Sequence, residues 1–368
     1  MKENLAIELL QVAVGTRKEL SRVPTTTEWM EIYQFADKQA LVGVMFGGIE
    51  TLSGSPLKGE RQQPPMELLM DWLGQTEYLR TQNELVNQRA EEITQRFAKD
   101  GMRSVVLKGQ ANSVYYPRPE LRTPGDVDLW VEGDRDMVAR YVMERSDYDR
   151  MQFHHIDYEA FPDIAVEVHF RPMVLFNYWK NERYQRMFHE DGGFAFQNWV
   201  TLEGGHRICV LPNRQNLLMQ LAHMYRHVFD GGVGLRQVVD FYLLLQWAKF
   251  TSSECVPIRK DLQACGLDKF CGAIIWMMQE VFGSCPLLIC EPDERRGRSL
   301  LDEMLDGGNF GHHKSEKKNR IGKDTKLGHF VYPIMRNMRL LTLYPSDCMW
   351  NVIYRLAQFG WRKRKGWK

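Results

Sequence analysis

A chain of 368 residues, 44% hydrophobic and 26% charged with a net charge of +1, can bury a core of two or three domains, which excludes a disordered polymer and a small fold stapled by disulfides. Seven cysteines, an odd number without a C-x-x-C pair, exclude a disulfide framework and a zinc ribbon, and no apolar run approaches the roughly 20 residues of a membrane span. The charge is uneven: residues 312–326 and 361–368 together carry nine net positive charges, leaving −8 on the rest of the chain, which suits an acidic partner or plain solvation.

The first 99 residues read as a helical region. "ENLAIELLQVAV" is an amphipathic helix lacking the apolar stretch and cleavage site of a signal peptide, so a cytoplasmic location is expected. "TEWMEIYQFADKQALVGVMFGGIETL" reads as a second helix with cap candidates in Thr25 to Thr27, residues 53–65 as a linker, and Met66 to Lys99 as a long helix stopped at Asp100–Gly101. Over residues 100–212 the pattern becomes mixed. "RSVVL" is a buried strand, "KGQANSVYY" a turn into a helix, "DVDLWV" a strand, "DRDMVARYVMERSD" a helix, and "RMQFHHIDYEAF" with "IAVEVHF" a hairpin. A helical "RPMVLFNYWKNERYQRMFHE" and a strand pair around "FAFQNWVTLEGGHRICVL" follow. From Asn213 the pattern is helical to residue 368, interrupted at 307–328. The expectation is an α+β core with a mixed sheet between a helical N-terminal region (1–99) and a helical C-terminal domain (213–368).

The chemistry gathers on two of those strands. In "DVDLWV" the alternation puts Asp126, Asp128 and Trp130 on one face and the aliphatic residues on the other; in "VEVHF" it puts Glu167 and His169 opposite Val166, Val168 and Phe170. If the strands are neighbours, three carboxylates converge, and like charges need a cation. Three oxygen ligands suit Mg²⁺, which also takes phosphates and water. Upstream, "VVLKG" ends a strand in Lys108–Gly109 and opens a helix near Gln110. Gly109 lets backbone approach a ligand, and the N–H groups at a helix start attract phosphate. Lys108 is placed to touch a phosphate. Arg122 has two readings, a phosphate contact or an ion pair that orients Asp126. His223 and His227 share a helix face four residues apart, without the Glu of a zinc protease motif, and read as a packed or substrate-facing pair. Arg236 and Asp240 also share a helix face and suit an ion pair.

Taken in order, "VVLKG", "YYP", "LRTPGDVDLWV" and "VEVHF" resemble the uncharacterised nucleotidyltransferase family of the DNA polymerase β-like superfamily, most specifically over residues 100–170. The turn is Gly109–Gln110 where the superfamily commonly has Gly-Ser or Gly-Gly. The resemblance implies a polymerase β-like core, a nucleoside triphosphate substrate bound through Lys108, Gly109, Gln110 and Arg122, and two Mg²⁺ ions, replaceable by Mn²⁺, on Asp126, Asp128 and Glu167. It also implies in-line attack of an acceptor hydroxyl on the α-phosphorus with loss of pyrophosphate, Glu167 serving as ligand and proton acceptor. The acceptor, a small molecule, a protein or an RNA, is not written in these motifs. One rival reading is a non-catalytic nucleotide-binding regulator that keeps the fold. Another is a nucleic-acid binder using the basic end with Trp361 and Trp367.

Overall fold

The computed structural model describes residues 4–53, 62–146, 151–189, 193–309 and 337–365. The basic stretch 312–326, Trp367 and most of the linker at 53–65 lie outside them. Three helices open the described chain, α1 (Leu5–Ala13), α2 (Thr26–Lys38) and α3 (Val42–Ser53), followed by the long α4 (Met66–Lys99). Asn4 caps α1 by accepting from the N–H groups of Ala6 and Ile7, and Thr25 caps α2 in a reciprocal box with Glu28. The single helix expected over α2 and α3 is broken at Ala40, whose φ is +55°. The break is made by long-range hydrogen bonds. Gln39 donates to the Met304 carbonyl (3.0 Å) and accepts from Leu235 N–H (3.0 Å), while the Ala40 carbonyl accepts from the Thr123 hydroxyl (2.8 Å).

The sheet comes next: β1 (Ser104–Leu107), the five-residue α5 (Gly109–Ser113), β2 (Val127–Val131), α6 (Arg135–Met143), β3 (His155–Tyr158) and β4 (Val166–His169). Strand order is β1-β2-β4-β3, with β2 and β4 parallel and the outer pairs antiparallel, so the sheet is mixed as expected. The expected hairpin is β3–β4. Helix α7 (Tyr178–His189) starts later than the apolar pattern suggests, after an irregular segment beginning at Arg171–Pro172. A small antiparallel pair, β5 (Trp199–Thr201) and β6 (Arg207–Cys209), completes the strands. The remaining described helices are α8 (Asn213–Asp230), α9 (Leu235–Ala248), α10 (Ser252–Cys265), α11 (Asp268–Phe282), α12 (Glu294–Gly307) and α13 (Pro345–Lys365). No helix among the described residues is long and apolar enough to cross a membrane.

Two apolar clusters flank the sheet. Val106, Leu129, Ile156 and Val168 pack with Val86, Ala90, Ile93 and Phe97 of α4 and with Val138 and Val142 of α6. Leu107 and Trp130 join the larger cluster of the helical regions, where Trp130 meets Phe188 and Phe196. On this second face Asp128, Glu167 and His155 line a cavity shared with α8 and α9. Helix α8 is buried on nearly all sides, so its polar residues must find partners or line a cavity. Trp361 packs on Phe153 (centroids 4.8 Å) beneath the Arg135 guanidinium, which makes it a packing residue of α13.

Candidate active site

The β-sheet register builds the site. Asp128 of β2 lies directly beside Glu167 of β4, and Glu167 directly beside Asp157 of β3; one step along, Trp130, His169 and His155 form the next row. Asp126 stands just before β2 rather than in it. Pairing of Leu107 with Asp128 brings the turn after β1 against that segment. There Lys108 has φ +48° and Gly109 φ +38°, and a Cβ at Gly109 would lie 3.4 Å from the Asp126 carbonyl oxygen. With ψ at −151°, Lys108 lies in a region of backbone space nearly reserved for glycine, at a cost of roughly 1–3 kcal/mol.

The Lys108 side chain makes an ion pair. Lys108 Nζ lies 2.7 Å from Asp128 Oδ1, and His169 Nε2 lies 2.9 Å from the same oxygen, with both carboxylate and imidazole buried. Glu167 Oε2 is 3.2 Å from His155 Nδ1 and 3.5 Å from His169 Nε2. Burial works against the Lys108 ammonium, yet Asp128, Asp126 and Glu167 together hold its pKa above the usual value. Burial likewise disfavours charge on His169, but Asp128 and Glu167 outweigh it and raise the imidazole. Burial pushes Glu167 up, and His169, His155 and Lys108 reverse this to leave it below the ordinary carboxylate range. Asp126 goes the other way: the Asp128 carboxylate, ahead of burial and of Glu167, pushes it up to about 6 in spite of Lys108. Asp126 is exposed at the cavity, and the neighbouring charge leads that shift. The cluster holds more negative charge than Lys108 and His169 neutralise.

These groups open into a cavity of about 330 Å³ between the sheet and helices α8 and α9. Its other walls are cationic and aromatic-polar. Arg122, expected to bind phosphate or orient Asp126, instead gives Nε and Nη2 to the two oxygens of Asp240, both at 2.8 Å, and the Tyr116 hydroxyl donates to Asp240 at 2.7 Å. All three are buried. Asp240 therefore serves Arg122 across 118 positions of sequence, while Arg236 donates to the Thr123 carbonyl at 3.1 Å. Burial, then the charge of Arg122, lowers the Arg236 pKa. Arg226 also lines the cavity, paired with Asp230 at 3.0 Å and lying over the rings of Phe176 and Tyr354.

Of the residues singled out from sequence, Lys108, Gly109, Arg122, Asp126, Asp128 and Glu167 all line this one cavity. Gln110 does not. Its side chain is buried against α4, donating to Asn83 and to Asn87, so it ties α5 to that helix and only its backbone remains for a ligand. His223 and His227 line the cavity with rings 4.3 Å apart, and burial holds His227 down to about 4 and His223 well below its usual value. Sequence reasoning passed over His154, His155, Gln220 and Arg226, which also line it. The polar residues of "QLAHMYRH", at positions 220, 223, 226 and 227, recur at helical spacing among Leu221, Ala222 and Met224, and that was the available signal.

By the chemistry of its donors the sheet side of this cavity could hold a divalent ion: two carboxylates and an imidazole gather there, and Asp126 lines the same cavity outside that group. The ligand atoms of Asp128, Glu167 and His169 lie within 4.8 Å of one another.

The chain belongs to the uncharacterised nucleotidyltransferase family, which it matches over residues 25–283. The match runs from Thr25, the cap of α2, to Gly283, which ends α11. Among solved structures the chain is similar to an antigenic nucleotidyltransferase-like protein from Paracoccidioides brasiliensis, with 11% identity and a TM-score of 0.33, covering 58% of this chain and 96% of that one. No curated protein matches it.

Proposed function

We propose that the protein is a metal-dependent nucleotidyltransferase that moves a nucleoside monophosphate from a triphosphate to a hydroxyl acceptor and releases pyrophosphate. The observation that carries this reading is the row Asp128–Glu167 with Asp126 beside it, short of positive charge and facing a cavity whose opposite wall holds Arg122 and Arg236. Asp126, Asp128 and Glu167 would hold Mg²⁺, or Mn²⁺ in its place, as one or two ions. When bound, the ion lowers the pKa of the acceptor hydroxyl and neutralises charge on the triphosphate.

The chain's own residues do the rest. Lys108 and the backbone at Gly109 meet phosphate oxygens at the turn after β1, where the missing side chain keeps the approach to Asp126 open. Arg122 and Arg236 put guanidinium groups on the wall of the cavity, which suits anionic phosphates. Glu167, held ionised by its neighbours, is ready to ligate the ion. The tail of Lys and Arg at 361–368 suits an anionic acceptor.

One observation favours the regulatory alternative. Lys108 already sits on Asp128 at 2.7 Å, an internal cation in the place where an enzyme would hold a metal. Incubation with Mg²⁺, triphosphate labelled at the α- or γ-phosphate, and fractions of cell extract as acceptor separates the two. The proposed activity moves α-label to product with pyrophosphate release, and loses it in Glu167→Gln. Transfer of γ-label would make the protein a kinase, and tight nucleotide binding without transfer in Mg²⁺ or Mn²⁺ would make it a regulator.

A further inference from the structure

Behind the carboxylates stands a second donor set of different chemistry. His154, His155 and His169 are all buried, with ring centroids 4.4, 5.2 and 5.4 Å apart, and one ligand atom from each lies within 4.8 Å of one from each of the others. His154 and His155 line the cavity, which gives an ion a way in. His154 Nδ1 is buried and has no hydrogen-bond partner among the described residues. Three buried imidazoles pressed together cost desolvation that apolar rings of the same shape would avoid, so packing alone does not account for them.

We propose that His154, His155 and His169 bind one divalent transition-metal ion of the zinc class. Imidazole nitrogen selects such ions over Mg²⁺, which prefers oxygen. Nitrogens around a tetrahedral zinc stand about 3.3 Å apart, so rings already within 4.8 Å close on the ion by small side-chain rotations. His169 Nδ1 lies 3.3 Å from the Arg171 carbonyl oxygen. That bond fixes the ring with Nε2 as its metal-binding atom, which exchanges its 2.9 Å contact with Asp128 Oδ1 for the ion, the arrangement in which a second partner orients a ligand histidine. Glu167 Oε2, within 3.5 Å of both His155 and His169, is at hand as a fourth ligand. Glu167 thereby belongs to both donor sets, so an ion on the histidines alters the carboxylate site. The histidine site itself rests on ring geometry and does not depend on the nucleotidyl reading.

The test uses the full chain, stripped with chelator and titrated with Co²⁺, which reports its geometry in the visible spectrum. The expected result is one equivalent bound, with the strong ligand-field bands of a four- or five-coordinate ion, displaced by Zn²⁺ but not by excess Mg²⁺. His154→Ala should weaken Co²⁺ binding at least tenfold while the thermal shift produced by Mg²⁺ stays that of the unaltered protein. Hyperfine-shifted ring N–H signals in the Co²⁺ protein count the histidine ligands without any substitution, and three are expected. Weak six-coordinate bands, a thiolate-to-cobalt charge-transfer band, fewer than three histidine signals, or unchanged affinity in folded His154→Ala would each overturn the proposal. None of these outcomes bears on α-label transfer, so the two readings fail separately.

Discussion

On the helical side of the cavity, Asp240 takes two nitrogens of Arg122 and the Tyr116 hydroxyl; on the sheet side, Asp126, Asp128 and Glu167 share Lys108 and His169. Both are buried or half-buried charge clusters built from distant parts of the chain. The first is saturated: every Asp240 oxygen has a donor, and burial, though it opposes charge on both partners, is outweighed so that Asp240 titrates low and Arg122 high. The second is not, and the excess falls on Asp126, held up at about 6. A saturated buried pair fixes the fold, whereas an unsaturated cluster stores a demand for a cation.

The largest effect should come from breaking the saturated side. Asp240→Ala leaves the Arg122 guanidinium buried without its acceptor and should cost about 3–5 kcal/mol in urea unfolding, the same with and without Mg²⁺. A loss under about 1 kcal/mol would mean that the pair does not organise the fold. On the sheet side the two aspartates should part company. Asp128→Asn removes the oxygen shared by Lys108 and His169 and should cost about 1–3 kcal/mol in metal-free protein. Asp126→Asn removes more repulsion from Asp128 and Glu167 than attraction to Lys108 and should raise Tm.

The rise at Asp126 has a defined pH dependence. The folded pKa, about 6, lies above the ordinary 3.8, so ionised Asp126 opposes folding at high pH. The advantage of Asp126→Asn in chelator should be greatest above about pH 6 and vanish below about pH 4; an advantage constant from pH 4 to 8 would remove the charge explanation. The smallest effect concerns a surface contact of neither cluster. His206, 2.9 Å from Glu91 and 3.0 Å from Glu84, has its pKa raised by those carboxylates. Its contribution is complete below the ordinary 6.5 and is lost as pH rises through the higher folded value. His206→Gln should therefore cost a few tenths of a kcal/mol near pH 5.5 and nothing near pH 8.5.

Much of the sheet side was legible because strand alternation is local. Period two alone places Glu167 and His169 opposite Val166 and Val168, and the register then sets Asp128 beside Glu167. Asp126, one residue before the strand, still reaches the cavity of Asp128 and Glu167, but period two hid His154 and His155, since successive strand residues point to opposite faces and His154 reaches the cavity only because it sits in the bend before β3. The partner of Arg122 was out of reach for a different reason: Asp240 was visible on its own helix face, but nothing local couples the two. The break at Ala40 was hidden likewise, since Gln39 is held by Met304 and Leu235.

The most direct measurement of the central claim is Mg²⁺ binding followed by thermal shift in the unaltered protein and in Asp126→Asn. The unsaturated cluster should give a Tm that climbs with Mg²⁺ in the unaltered protein, and in Asp126→Asn a higher starting Tm that Mg²⁺ hardly moves. A Tm indifferent to Mg²⁺ and Mn²⁺ in the unaltered protein, or an equal climb in the variant, would contradict a cation site at these carboxylates.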